Sequence, residues 1–352
     1  MKLSKNLGRI ATTFLATAML ASVSAVPAFA EDTAPVTSVP FEKVVTTDGD
    51  TFAPNTSFEF EVKSDKAGSA TIDAETVTVK AGIDGVLSVG NVTSAPVVVD
   101  ETKERYEFEG SITVDASKLE GKEPGIYHYT INEKAGNYEG IDYDDTVYDV
   151  YVYYVNNDAL TDQYVKAVVV TLNDAKVGEG SFTFTNNYGE GTNDSTHDVI
   201  VTKNVEGSLA NMSDTFIFDV SVTGATGEAY KVVYTQKGKS VTTSVISGET
   251  LKVDGVGNKD TIHIYGLSAN DTYTVTENDG VTKGYTVTDT DKASAEGTVT
   301  GNLEADNTQH SITNKMDASA PTGIMMDVAP YVLLVAVAAA GCFVFLRKRR
   351  ED

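Results

Sequence analysis

Tyr127-His128-Tyr129-Thr130-Ile131-Asn132-Glu133 alternates apolar and polar side chains with a period of two. Successive strand side chains point to opposite faces, so Tyr127, Tyr129, Ile131 and Glu133 share one face. That face is apolar until its last position, which carries a carboxyl group. The same alternation, rich in Val, Thr, Tyr and Phe, recurs at Phe58-Glu59-Phe60-Glu61-Val62 and Phe216-Ile217-Phe218-Asp219-Val220. Gly, Asn and Asp clusters separate these runs, and helical periodicity is scarce outside the two chain ends. The pattern predicts an all-β protein built of antiparallel strands with one wet face.

Working outward, the motifs occur twice in the same order. Phe41-Glu42-Lys43, Phe58 to Val62, Tyr129 to Glu133 and Phe184-Thr185-Asn186 have counterparts in Val201-Thr202-Lys203, Phe216 to Val220, Tyr273-Thr274-Val275-Thr276-Glu277 and Ser311-Ile312-Thr313-Asn314. This is an internal repeat of chemistry as well as of fold. Between the copies, the stretch 189–196 has no apolar residue and reads as a linker. Two domains are therefore expected, over residues 39–188 and 198–316, joined by 189–197 and preceded by a short tail, 31–38.

In each copy a polar residue falls in register with apolar ones. Lys43 shares a face with Val39 and Phe41, Glu133 with Tyr129 and Ile131, and Asn186 with Phe182 and Phe184; Asn187 points the other way. Lys203, Glu277 and Asn314 repeat the arrangement. Taken singly, an edge-strand Lys is an ordinary guard against strand pairing, a Glu can be solvated, and an Asn at a strand end is a usual turn residue. Taken as ordered triplets, they steer an amine, a carboxyl and a carboxamide into each core. Desolvation lowers the Lys pKa and raises that of Glu, favouring a neutral amine and a protonated acid. Such an amine can attack the Asn carboxamide carbon while the acid, expected on the carbonyl oxygen, shuttles protons. Ammonia leaves and an isopeptide bond remains.

The chain ends carry processing signals. Lys2, Lys5 and Arg9 precede an apolar stretch from Ile10 to Val26, and Ala28-Phe29-Ala30 offers small residues at a cleavage site, so residues 1–30 read as a secretory signal peptide. At the other end Ser319-Ala320-Pro321-Thr322-Gly323 is followed by an apolar run, 328–346, long enough to span a bilayer, and then by Arg347-Lys348-Arg349-Arg350. Residues 317–352 thus resemble the cell-wall sorting signal that sortases read on Gram-positive surface proteins, with Pro321 and Thr322 adjacent where the common signal has a residue between them. The resemblance implies cleavage after Thr322.

Residues 39–188, including Tyr127 to Glu133, Gly140-Ile141-Asp142-Tyr143-Asp144 and Tyr148-Asp149-Val150, resemble the isopeptide-linkage domain of Gram-positive shaft pilins. Residues 198–316 resemble a collagen-adhesin B-type domain, a small Ig-like β-sandwich. The resemblance implies Lys43–Asn186 and Lys203–Asn314 bonds, formed with Glu133 and Glu277 as the catalytic acids. It also implies that a pilus-class sortase joins Thr322 to a lysine of the neighbouring pilin subunit, and that a housekeeping sortase attaches the fibre to peptidoglycan. The usual pilin acceptor signature Tyr-Pro-Lys is absent, which leaves Lys176 as first candidate acceptor and Lys166 as second. The alternative is a wall-anchored monomeric adhesin or stalk of the same modules, touching a host surface ligand.

Composition excludes other classes. The formal net charge is −24, and the two ends expected to be removed, 1–30 and 323–352, are net basic, so the body between them is more acidic still and repels nucleic acid. The single cysteine, Cys342, lies in the apolar run, which leaves no disulfide, thiol chemistry or zinc cluster. His128, His197, His263 and His310 show neither metal-ligand spacing nor a triad context. Asp144-Asp145 and Asp289 with Asp291 read as solvated turns in so acidic a chain. No cofactor, no metal and no turnover enzyme are expected.

Overall fold

The computed structural model describes residues 34–95, 102–178, 180–189, 197–268, 270–289, 297–302 and 308–318. The signal peptide, the sorting residues Pro321, Thr322 and Gly323 and the apolar run 328–346 lie outside the described residues. Among the described residues no helix is long and apolar enough to cross a membrane. They form strands and one short 3-10 turn, Ala116–Leu119.

The first module packs two sheets face to face. One runs in the order Leu87–Val89, Arg105–Val114, Ser38–Thr46, Thr183–Tyr188, Ile141–Asp142. At its centre the first and last long strands lie side by side and parallel, with Lys43 opposite Phe184 and Val45 opposite Asn186. The facing sheet has Gly125–Lys134 between Val147–Asn156 and Thr56–Ser64. Alternation turns Val39, Phe41 and Lys43 of Ser38–Thr46, and Tyr127, Tyr129, Ile131 and Glu133 of Gly125–Lys134, into the core. Phe41 packs edge-on against Phe60 and Phe184, and a side chain at Gly110, its partner across the ladder, would overlap the ring. Only glycine fits there.

One expectation fails locally. Val150, Tyr151 and Val152 are buried in succession, so the strand Val147–Asn156 has two dry faces where one wet face was expected. The cause is the hairpin Gly68–Ile72 and Glu75–Ala81, whose Ile72 and Val79 cover Tyr151 and Val169 in a small satellite core. Burial of that outer face depends on a segment far away in sequence, which alternation cannot report.

The second module repeats the plan. His197–Glu206 runs parallel to Thr308–Lys315, with Lys203 opposite Ile312 and Val205 opposite Asn314. The facing sheet holds Phe216–Thr223 beside Thr272–Glu277. Both modules thus set the Lys and Asn strands at the same parallel offset of two residues, which puts the two side chains on the same face and one step apart.

The joint between modules is polar and partly buried. Tyr188, in the last strand of the first module, donates to Glu228 Oε1 at 2.5 Å, and Lys231 Nζ meets Asp50 at 2.6 Å. Asn55 Nδ2 donates to Thr226 O at 2.8 Å. Behind Glu228, Tyr230 Oη lies 2.7 Å from Glu228 Oε2 and 3.0 Å from Asp271 Oδ2, so one hydroxyl stands between two buried carboxyls. Burial, reinforced by the Glu228 carboxylate, pushes Asp271 up to about 6. An acid raised on folding stabilises the fold fully below its unfolded value of about 4, and that contribution is lost as pH climbs through the folded value. Melting temperature is therefore expected to fall between about pH 4 and 7 relative to Asp271→Asn. Parallel melting curves across that range would contradict the assignment.

Candidate functional site

Lys43, Glu133 and Asn186 meet in the core of the first module. All three are buried. Lys43 Nζ lies 2.8 Å from Glu133 Oε2, and Asn186 Nδ2 donates to Glu133 Oε1 at 2.7 Å. Lys43 and Asn186 come from neighbouring parallel strands, and Glu133 reaches across from the facing sheet. The carboxyl group therefore bridges amine and carboxamide, one oxygen to each. The Phe58 ring, 4.6 Å from Nζ, closes one side and offers the amine a π face instead of water.

The second module holds the same arrangement. Lys203 Nζ is 3.0 Å from Glu277 Oε2, Asn314 Nδ2 donates to Glu277 Oε1 at 2.5 Å, and Phe216 lies 4.5 Å from Nζ. The Lys203–Glu277 contact is an ion pair outside hydrogen-bond geometry, since Oε2 has no hydrogen-bond partner. Lys203 donates instead to Asn204 O at 3.1 Å and Ile312 O at 3.4 Å. Gly280 is required beside this site, because a Cβ there would overlap Glu277 Oε1 and Asn314 Nδ2.

Burial dominates the electrostatics. Desolvation brings both Lys43 and Lys203 down to about 8, against the pull of their glutamates. It pushes Glu133 and Glu277 up, opposed by the same lysines. Both shifts favour moving a proton from amine to carboxylate, which leaves an uncharged nucleophile beside an acid.

Alternation separates the two neighbouring asparagines: Asn186 is fully buried, whereas Asn187 faces Thr46, whose Oγ1 donates to its Oδ1 at 2.5 Å. One expectation needs correcting. The glutamates sit on the carboxamide nitrogen, not on its oxygen; Asn186 Oδ1 instead accepts from the backbone N–H of Asp144 at 2.8 Å. The Asp144 carboxylate is itself committed, accepting from Thr146 N at 2.8 Å and Thr185 N at 2.5 Å. Sequence reasoning also passed over the role of the rings: Phe58 and Phe216 were visible as strand residues, but their place over an amine depends on the opposing sheet.

Lys176 lies on a short edge strand, Ala175–Lys176, a quarter exposed and paired with Asp73 at 3.1 Å. Lys166 is half-buried on the neighbouring strand Gln163–Leu172. Among the described residues Asp65, His128 and Asp149 have donor atoms close enough to share an ion. The imidazole there meets Asp149 through Nε2 at 2.7 Å and Asp65 through Nδ1 at 3.4 Å. Each ring nitrogen already faces a carboxylate.

A family model described as the Spy0128-like isopeptide containing domain matches residues 39–189. A curated protein described as a pilin, from Streptococcus pyogenes serotype M1, is 26% identical over 319 residues, covering 84% of this chain and 86% of its own length. The chain is thus similar to a streptococcal pilin over most of its length, and residues 39–189 to the isopeptide-containing domain family. The crystal structure of the major pilin from Streptococcus pyogenes covers 80% of this chain and 99% of its own, with a TM-score of 0.55 at 20% identity. The T3.2 major pilin of serotype GAS13637 from the same species gives a TM-score of 0.53 at 22% identity, covering 81% and 99%. These likenesses carry the tandem all-β fold of a pilin. Residues 197–316 match a domain of unknown function (DUF7601).

Proposed function

We infer that each module welds itself once, through a Lys–Asn isopeptide bond, and that sortase then links the welded subunits into a fibre. The observation that carries this reading is the bridging carboxyl group, which touches the nucleophile with one oxygen and the leaving nitrogen with the other in both modules. In the first module, neutral Lys43 Nζ forms a bond to Asn186 Cγ, the Cγ–Nδ2 bond breaks, and Glu133 relays one proton from Nζ to Nδ2, which departs as ammonia. Lys203, Glu277 and Asn314 perform the same exchange. Amides are poor electrophiles. Holding the partners in contact can supply roughly 7–11 kcal/mol through effective molarity. The domain is enzyme, substrate and product together and does not turn over.

Assembly follows from the chain ends. A pilus-class sortase cleaves after Thr322 in Pro321-Thr322-Gly323, and the Thr322 acyl group passes to Lys176 of the next subunit, or failing that to Lys166. A housekeeping sortase then fixes the fibre to peptidoglycan. A cell-wall extract is expected to give a ladder of species that survives boiling in detergent and collapses to monomer in Thr322→Ala. Lys176→Arg should also abolish it; a ladder that persists there moves the acceptor to Lys166. Monomer alone from the unaltered chain would favour the wall-anchored adhesin or stalk.

A further inference from the structure

The two condensation sites differ at one atom. In the first module the Asn186 carboxamide is gripped at both ends, by Glu133 on Nδ2 and by the Asp144 backbone N–H on Oδ1. A backbone N–H can only donate, so it fixes which end of the amide is oxygen. In the second module Asn314 Nδ2 has Glu277, but buried Asn314 Oδ1 has no hydrogen-bond partner among the described residues.

We propose that the Asp144 backbone N–H is the oxyanion donor of the first module, held in place by the Asp144 carboxylate, and that the first bond therefore forms faster than the second. The inference rests on the welding reading above. When Nζ bonds to Cγ, the carbonyl becomes a tetrahedral C–O⁻ and negative charge develops on Oδ1, 2.8 Å from that donor. The charge returns to the carbonyl as Cγ–Nδ2 breaks and ammonia leaves. A fixed donor aimed at a developing oxyanion in a dry site is worth about 10²–10³ in rate. The carboxylate sets the aim: one oxygen ties the loop to Thr146 N, and the other ties it to Thr185 N, the residue before Asn186. Among the described residues no such partner offsets the charge on Asn314.

The test is peptide mapping of the full-length chain at timed intervals after translation is stopped, which reads each bond separately. The unaltered chain is expected to complete the Lys43–Asn186 link first. Asp144→Ala should slow that link on the order of 10²-fold and leave Lys203–Asn314 at its own pace. Replacing the Tyr143–Asp144 amide by an ester removes the N–H, keeps the carboxylate and should slow the same link. That variant decides the matter if Asp144→Ala unfolds the first module. A first link that forms at the unaltered rate in the ester chain, or no faster than the second in the unaltered chain, overturns the proposal. Absence of both links from the unaltered chain overturns the welding reading instead.

Discussion

The mature chain is expected to weigh less than its amino-acid composition dictates by two molecules of ammonia, one for each Lys–Asn pair. Glu133→Ala should restore one of them and Glu277→Ala the other, with the double variant at full composition mass. The reason is chemical. Each carboxyl group touches both the amine that must lose a proton and the nitrogen that must gain one. Without it the lysine has neither a proton acceptor nor an acid for its leaving group, and an amide in contact with an amine stays unreacted. Intact-mass spectrometry reads the outcome directly. A chain at full composition mass would end the welding reading and leave a pilin-like fold held together by noncovalent packing.

Loss of the first tie should also cost more stability than an ordinary core substitution. The Lys43–Asn186 bond closes a loop of about 140 residues, worth roughly 5 kcal/mol in the chain-entropy account. For a domain of this size that amounts to a fall in melting temperature of about 10–20 °C. Asn186→Ala removes the tie while leaving Lys43 and Glu133 paired, and it also removes the contacts of the carboxamide with Glu133 and the Asp144 N–H. Glu133→Ala should fall further, because it also leaves a buried amine unpaired, at a cost of about 3–5 kcal/mol. Equal melting temperatures for Asn186→Ala and the unaltered chain would mean that no tie exists to lose. Under tension the difference should be larger. The first and last strands of the module are parallel neighbours, so a pull between the chain ends shears that ladder, and a covalent link between them carries the load before any hydrogen bond must break.

The joint between the modules bears on the same property. Tyr188 follows Asn186 by two residues and donates to Glu228 of the next module, so tension leaving that strand passes directly into a buried polar contact. The Lys231–Asp50 pair spans the same boundary. Of the two, only the Tyr188–Glu228 contact is buried; the Asp50 carboxylate is half exposed, and such pairs contribute little.

Much of the site was legible because strand side chains alternate. Placing Lys43, Glu133 and Asn186 on apolar faces needed only the spacing of Phe41, Ile131 and Phe184, and the same rule set Asn187 aside. The repeat of ordered motifs carried this over to Lys203, Glu277 and Asn314. Where the reading fell short, it did so for nonlocal reasons. The outer face of Val150 to Val152 is dry because a distant hairpin lies on it. In the first module Glu133 holds the carboxamide nitrogen because a backbone N–H already claims the oxygen, and a backbone donor has no side-chain signature.

Sequence alone determined the all-β class, the two modules, and which side chains each core must absorb, since these depend on period and composition within short segments. Tertiary structure decided what those side chains meet. The parallel offset of first and last strands, the carboxyl group bridging two partners, the aromatic rings over the amines and the Asp144 donor all join residues distant along the chain. Contacts of that kind are set by how the sheets close on each other, and no local pattern encodes them.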